Sequence, residues 1–290
     1  MKIVFKLLCG LIIFAINLSA QNIYSGYIKI GSDSIFYETA GKGPAIIMIH
    51  DGLVHSAIWD EQFAFFSKDH KVIRYDRRGY GNSSAVTEAF SNVDDLKQVF
   101  SYLSISNACL IAMSSGGRLA IDFTLQYPKM VNSLVLVGAV VGGFTYTNHF
   151  FTRGGHLPAN LSDPVQRGIY YASEDPYEIY SGNIKVKEKV TQLIKDFPRK
   201  TIHFHSPESA EKNIQPELPA YKRLNEIKVP SLILVGEFDM PDVHAHSGVI
   251  NAGIINSERY IIPNSGHLIP IEQPELFNTA VKKFLDGLSD

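Results

Sequence analysis

The sequence predicts an α/β fold, with a mostly parallel central sheet, helices on both faces and an inserted, mainly helical cap. Three observations predict it. Apolar runs of strand length alternate with segments of helical spacing, the pattern of a parallel sheet covered on both sides. The alternation stops near residue 141 and resumes after about residue 221, which marks an insertion rather than a second domain. The chain has 290 residues, 45% hydrophobic and 19% charged, enough to bury one sizeable core.

The elements follow in order. Residues 27–30 and 34–38 are short β-rich runs. Pro44 opens Ala45–Ile49, an unbroken apolar run that reads as a buried strand. Residues 58–66 have helical spacing, Lys71–Tyr75 reads as a strand, and residues 94–103 read as a helix. Ala108–Met113 is a third buried strand, followed by a helix over residues 116–126 and a strand over 133–137. The insertion at about 141–221 is rich in aromatics, Gly, Pro and His, with a helical patch at 185–196. A strand at 230–235, a helix at 243–250, a strand at 259–262 and an amphipathic helix at 275–285 complete the pattern. An insertion between the two halves of one sheet lies over the strand ends, where ligands bind in open α/β sheets.

The first twenty residues stand apart. Lys2 and Lys6 precede an apolar run over residues 7–18, and Ser19-Ala20-Gln21 closes it. A basic start, an apolar stretch and a small-residue exit predict a secretory signal peptide over residues 1–20, with residues 21–290 as the mature domain in the periplasm or outside the cell. The run is shorter than the roughly 20 apolar residues of a membrane span. An uncleaved anchor is the alternative. Cys9 lies inside the apolar run, not after it, so it does not read as a lipidation site. Cys109, the other cysteine, sits in an apolar run and reads as an inert core residue.

Of 27 basic residues, two lie in that first segment, leaving 25 against 29 acidic residues, a net charge of −4. No basic block suggests nucleic acid or an anionic membrane as a partner. No phosphate loop or dinucleotide fingerprint is present, so no cofactor is expected. His203-x-His205 and His244-x-His246 have a spacing that could suggest metal ligands. Alternate residues share a face only on a strand, and the second pair reads as helix, so no metal is expected.

Ser114 carries the chemistry. Ala112-Met113-Ser114-Ser115-Gly116-Gly117 ends a strand and opens a helix. A serine on so sharp a turn needs small neighbours two residues before and after it, and Ala112 and Gly116 are small. Ser115 would instead be flanked by Met113, which is too bulky. The Ser115 N–H at the helix start is then placed to bind an oxyanion. A serine hydroxyl needs a base. Asn264-Ser265-Gly266-His267 follows a strand, which puts His267 at the same edge of the sheet. The acid that orients it should lie between the two in chain order. Gly236-Glu237-Phe238-Asp239 follows another strand, and Asp239 is preferred over Glu237 and Asp242. Asp242, just before Val243, reads rather as a helix N-cap.

With His50-Asp51-Gly52 and the run from Asp76 to Ser83, these motifs occur in an order that resembles the α/β-hydrolase superfamily. The resemblance covers essentially all of the chain after the first segment. In detail the chain is similar to the single-domain hydrolases likened to 3-oxoadipate enol-lactonases, which use the run Asp239-Met240-Pro241-Asp242-Val243-His244 in one of their forms. The resemblance implies a second oxyanion donor, the backbone N–H of Gly52, with Leu53 as the alternative. Asp51 departs from the family's His-Gly pair. The resemblance also implies that the run from Asp76 to Ser83 is a structural turn, which leaves Arg77 and Arg78 outside the site. The insertion corresponds to the family's cap. Its Phe144, Tyr146, Phe150, Phe151, Tyr170 and Tyr171 either line an apolar pocket or pack the cap onto the core.

The expected activity is hydrolysis of a small-molecule ester or lactone through an acyl-enzyme. The same triad could cleave amide or C–C bonds or transfer the acyl group. A small-molecule receptor with slow turnover is the alternative of another class.

Overall fold

The computed structural model describes residues 22–152, 163–180, 182–196 and 212–288. Residues 1–20, His203, His205 and the side chain of Phe151 lie outside that description.

The strands are β1 (Tyr24–Ile30), β2 (Asp33–Ala40), β3 (Ala45–Ile49), β4 (Lys71–Tyr75), β5 (Ala108–Met113), β6 (Val131–Val137), β7 (Ser231–Gly236) and β8 (Ser257–Ile262). They form one sheet in the order β1-β2-β4-β3-β5-β6-β7-β8. The β1–β2 and β2–β4 pairs are antiparallel, and every later pair is parallel. The two N-terminal strands run longer than the short runs read from the sequence. They form a hairpin turning at Gly31, whose φ is +61°.

Side chains of successive strand residues point to opposite faces, so an unbroken apolar run is stable only when both faces are covered. Both are. Ile46 and Met48 of β3 pack with Trp59, with Phe63 and Phe66 of α1 (Asp60–Phe66), and with Phe277 and Val281 of α9 (Pro274–Asp286). Ile47 and Ile49 face the other way. They join Leu96 and Phe100 of α2 (Asn92–Tyr102) and Leu119 and Phe123 of α3 (Ser115–Gln126). Phe100 stacks on Phe123 with ring centroids 5.1 Å apart, which ties α2 to α3.

Between β6 and β7 no strand occurs among the described residues; the segment carries α4 (Asn148–Thr152), α5 (Pro164–Glu174) and α6 (Ile184–Lys195). Ala172, Val190 and Ile194 from α5 and α6 join the core on the α1 and α9 face. After β7 come α7 (Pro241–Gly253) and the short α8 (Ile269–Glu272).

The strand order places the crevice. From β3 the chain crosses by α1 to β4 on one side, whereas β5, on the other side of β3, leads into α3 on the opposite face. The outgoing loops diverge there, at the carboxyl ends of β3 and β5. Ile49 pairs with Ala112 and Met113 with Val137, so the loop at His50, the turn at Ser114 and Gly138 leave the sheet side by side.

The turn after β4 is built on Asp76, which accepts from the Ser56 N–H at 2.9 Å and the Asn82 N–H at 2.8 Å. Burial alone would raise this carboxyl, but His55, His50 and the Ser56 N–H hold it down at about 2. A Cβ at Gly81 would lie 2.1 Å from the Asp76 carboxylate, so only glycine fits. Arg78 leaves this turn for the other face, where Asp95 accepts its Nε at 3.0 Å and its Nη2 at 2.7 Å; Nη1 donates to Asp33. All three groups are buried. Removing one member of such a set leaves uncompensated charge, so Arg78→Met is expected to lower unfolding stability by about 3–5 kcal/mol. Urea unfolding followed by circular dichroism checks it, and a loss under about 1 kcal/mol is the contrary outcome.

Candidate active site

Ser114 occupies the junction between β5 and α3 with φ +53° and ψ −118°. A non-glycine residue there costs on the order of 1–3 kcal/mol, and the surroundings must hold it. They do so from three sides. The Ser114 N–H donates to the Val137 carbonyl of β6 at 2.9 Å. A Cβ at Gly116 would meet the His50 carbonyl oxygen at 2.4 Å, and one at Gly117 would meet the Ala139 Cβ at 2.4 Å. The close approach that the turn requires is therefore possible only with glycine at both positions. Ala112, the departure two residues before the serine, is fully buried in the sheet between Ile49 and Leu136.

His267 and Asp239 meet over the neighbouring strand ends. The His267 Nδ1 lies 3.0 Å from each Asp239 carboxylate oxygen. Asp239 also accepts the Met240 N–H at 2.7 Å. Asp239 therefore accepts the Nδ1–H, so that in the neutral imidazole the lone pair is on Nε2. Nε2 makes no hydrogen bond among the described residues. Gly138, with φ +50°, lies under the pair: a Cβ there would come within 3.0 Å of the His267 ring and 3.1 Å of Asp239. Since Gly138 follows the residue that holds the Ser114 N–H, imidazole and serine stand at adjacent strand ends. Burial alone would depress the His267 imidazole. The Asp239 charge and hydrogen bond outweigh it, with Glu178 and Asp51 adding to them, and raise it to about 10.

The base loop is gripped by the insertion. The His267 N–H donates to the Tyr177 and Glu178 carbonyls at 2.8 and 3.0 Å, and the Leu268 N–H to Glu178 at 3.1 Å. Glu272 closes the grip, accepting from the Gly266 N–H at 2.9 Å and the Tyr180 N–H at 2.7 Å. Sequence reading did not single out Tyr177, Glu178, Tyr180 or Glu272. The available signal was Glu272 itself, a lone acid beside the apolar run Leu268-Ile269-Pro270-Ile271.

The loop after β3 carries the other expected donor. Asp51 turns its carboxylate onto its own loop, accepting from the Leu53 N–H at 2.7 Å and the Val54 N–H at 3.2 Å. This removes Leu53 as a candidate oxyanion donor, since its N–H is already used. The N–H groups of Gly52 and Ser115 have no acceptor among the described residues. His50 is fully buried. Burial first, then the charge of Arg77, pushes its imidazole well below the ordinary value and keeps it neutral. Its Nδ1 lies 2.7 Å from the Asp51 carbonyl, and its Nε2 accepts from the Arg77 N–H at 3.0 Å. Arg77, left outside the site on sequence grounds, reaches Ser115 Oγ at 2.9 Å. Arg78 stays in the structural turn.

The remaining candidates have structural places. Glu237 is exposed and caps the Asn264 N–H at 3.0 Å. Asp242 is not the N-cap of α7, because the helix begins at Pro241 with Met240 as its cap. Its carboxylate instead accepts from the Thr147 N–H and hydroxyl at 2.6 and 2.9 Å, tying the insertion to α7. His246 is buried on α7, its Nδ1 accepting from the Val141 N–H at 3.0 Å, and His244 lies beside Arg259. Phe144 and Tyr146 pack on the His246 ring, and Tyr146 also on Phe150. These three aromatics fasten the insertion to the core. Tyr170 and Tyr171 contact each other edge to face on α5. Burial raises the Cys109 thiol to about 12 and makes it inert.

A family profile described as alpha/beta hydrolase fold matches residues 44–274. A 2-hydroxy-6-oxononadienedioate/2-hydroxy-6-oxononatrienedioate hydrolase of Paraburkholderia phymatum is 26% identical over 280 residues, covering 92% of this chain and 96% of that protein. The carboxylesterase YbfK of Bacillus subtilis is 23% identical over 265 residues, covering 89% of this chain and 86% of its own. The solved enol-lactonase of Burkholderia xenovorans LB400 shares the fold with a TM-score of 0.73 at 17% identity, covering 90% of this chain and 100% of that one. The profile match spans most of the chain and agrees with the strand order, so this protein belongs to the α/β-hydrolase fold family and is a hydrolase.

Proposed function

We propose that the protein is an exported serine hydrolase that cleaves a small-molecule carboxylic ester or lactone through an acyl-enzyme. One observation carries the reading. A buried imidazole, oriented by Asp239 and with its Nε2 unpaired, stands at the strand end next to a serine held at φ +53°. Export rests on the basic, apolar and small-residue pattern of residues 1–20.

The mechanism follows from the groups present. His267 Nε2 takes the Ser114 hydroxyl proton as Oγ attacks the substrate carbonyl carbon. The carbonyl π pair moves onto oxygen, where the N–H groups of Gly52 and Ser115 receive it. Asp239 keeps the proton on Nδ1 and stabilises the imidazolium. As the tetrahedral centre collapses, the ester C–O bond breaks and His267 gives its proton to the leaving oxygen. For a lactone that alcohol stays tethered to the acyl group. Water then repeats the sequence on the acyl-enzyme and returns Ser114 to its free state.

A fluorophosphonate probe is expected to label the wild-type protein at Ser114, and Ser114→Ala to abolish labelling and lower kcat/KM on its best ester by about 10⁵- to 10⁶-fold. Mass spectrometry of the labelled peptide reads the site, and an unlabelled, folded wild type would sink the proposal.

His267 must be neutral to act as base, so activity is lost as pH falls through its pKa. With that pKa raised above 6.5, the acid limb of kcat/KM is expected above the ordinary imidazole range. Asp239→Asn removes the charge chiefly responsible for raising it. That variant should move the limb to lower pH and reduce kcat by about 10³- to 10⁴-fold. A pH–rate profile checks both. A limb that stays in place in the variant argues against Asp239 as the partner of the base.

A further inference from the structure

The geometry points to Arg77 as the positioning residue of the oxyanion hole, one guanidinium nitrogen holding both halves of it in register. The assignment rests on the serine-hydrolase reading above. Arg77 Nη2 donates to the Asp51 carbonyl at 2.5 Å and to Ser115 Oγ at 2.9 Å. These contacts belong to the two residues whose backbone controls the donors.

On the first side, the Asp51 carbonyl and the Gly52 N–H share one peptide plane. That unit is trans, since no cis peptide occurs among the described residues. In a trans peptide the carbonyl and the N–H point in opposite directions. Arg77 Nη2 and His50 Nδ1 draw the carbonyl inward, which turns the Gly52 N–H the other way. The Asp51 carboxylate, bonded to the next two N–H groups, stops the loop from rotating about this plane. On the second side, Ser115 carries the other donor on its backbone and offers Arg77 its hydroxyl. A single side chain thereby sets the spacing between two N–H groups from different loops.

The electrostatics agree. Arg77 is 5% exposed, its Nε has no hydrogen-bond partner, and among the described residues no carboxylate pairs with it. The contrast is with Arg78, the next residue, which is held between Asp33 and Asp95. A buried cation beside the donors, with no carboxylate directly bonded to it, favours the state in which negative charge develops there. The guanidinium lies over the Tyr80 ring, 4.8 Å from Cζ to the centroid, and the Arg77 main chain is held by its N–H on His50 Nε2. Asp76 and Gly81 shape the turn that delivers it.

The test compares wild type, Arg77→Met, Arg77→Lys and Ser115→Ala on p-nitrophenyl esters. It also measures inhibition by an alkyl trifluoromethyl ketone, which forms a tetrahedral oxyanion on the serine, and by the matched methyl ketone. Arg77→Met is expected to lower kcat about 10- to 100-fold with KM within about threefold. Affinity for the trifluoromethyl ketone should fall by the same factor while the methyl ketone is unaffected. Arg77→Lys keeps the charge on a stem one atom shorter and should recover part of kcat. Ser115→Ala removes one arm of the bridge and should cost several-fold, a result that stands even if Arg77→Met does not fold. A merely structural role would lower stability without separating the two ketones. Wild-type kcat in folded Arg77→Met, or equal loss of both ketones, overturns the assignment. Fluorophosphonate labelling of wild type is measured first. Its absence would reject the serine-hydrolase reading itself, whereas labelling with an inert Arg77 rejects only the positioning role.

Discussion

The backbone turn at Ser114 is the constraint on which the site depends. A serine at φ +53° is unfavourable by itself, and it persists because the sheet and helix on either side leave it no alternative. The conditions that enforce it also assemble its neighbours. Gly116 must lie against the His50 carbonyl, which brings the first turn of α3 onto the end of β3. The Ser114 N–H must reach Val137, which brings Gly138 alongside, and Gly138 is the floor beneath His267 and Asp239. One strained residue therefore ties together the ends of β3, β5 and β6 and the loops that leave β7 and β8.

Around that turn, charge is arranged by which buried groups find partners. Arg78 is neutralised on the far side of its turn by two carboxylates, and it secures the fold. His50 is kept neutral by burial and acts as a hydrogen-bonding spacer between the β3 loop and the turn after β4. His267 is pulled the other way by Asp239, with Glu178 and Asp51 behind it. Two of those carboxylates lie outside the proposed triad, one in the insertion and one in the β3 loop. The insertion is thus part of the environment of the base. Its backbone carbonyls at Tyr177 and Glu178 hold the His267 N–H, and Glu272 joins the two segments. A change in that part of the insertion is felt at the imidazole.

Much of this was legible in the sequence. The buried strands announced themselves as unbroken apolar runs, and Ser114 and His267 by their strand-end settings. Small residues around Ser114 and chain order for Asp239 completed the expectation. The turn of Asp51 back onto its own amides was not legible, because it depends on a side-chain rotamer. That rotamer takes up the Leu53 N–H and leaves the Gly52 N–H without an acceptor among the described residues. Asp242 looked like a helix cap from its position before Val243, yet the helix starts one residue earlier and Thr147, far away in the chain, takes the carboxylate. Arg77 and Arg78 read as one structural pair, although adjacent residues leave a turn in different directions.

By itself the sequence determined the sheet, the strand ends at which Ser114, Asp239 and His267 stand and the residue types placed on them. Those features follow from local patterns: side-chain period, small residues at tight turns, and glycine where only glycine fits. The tertiary structure alone decided which polar groups pair. That includes the Asp51 carbonyl with Arg77, the Asp51 carboxylate with Leu53, and the Tyr177 and Glu178 carbonyls with the His267 N–H. Most of these hydrogen bonds join segments distant in the chain, and all of them, the local Asp51–Leu53 contact included, depend on positions to within a few tenths of an ångström. Such positions are set by packing of the whole molecule and leave no mark in the local order of residues.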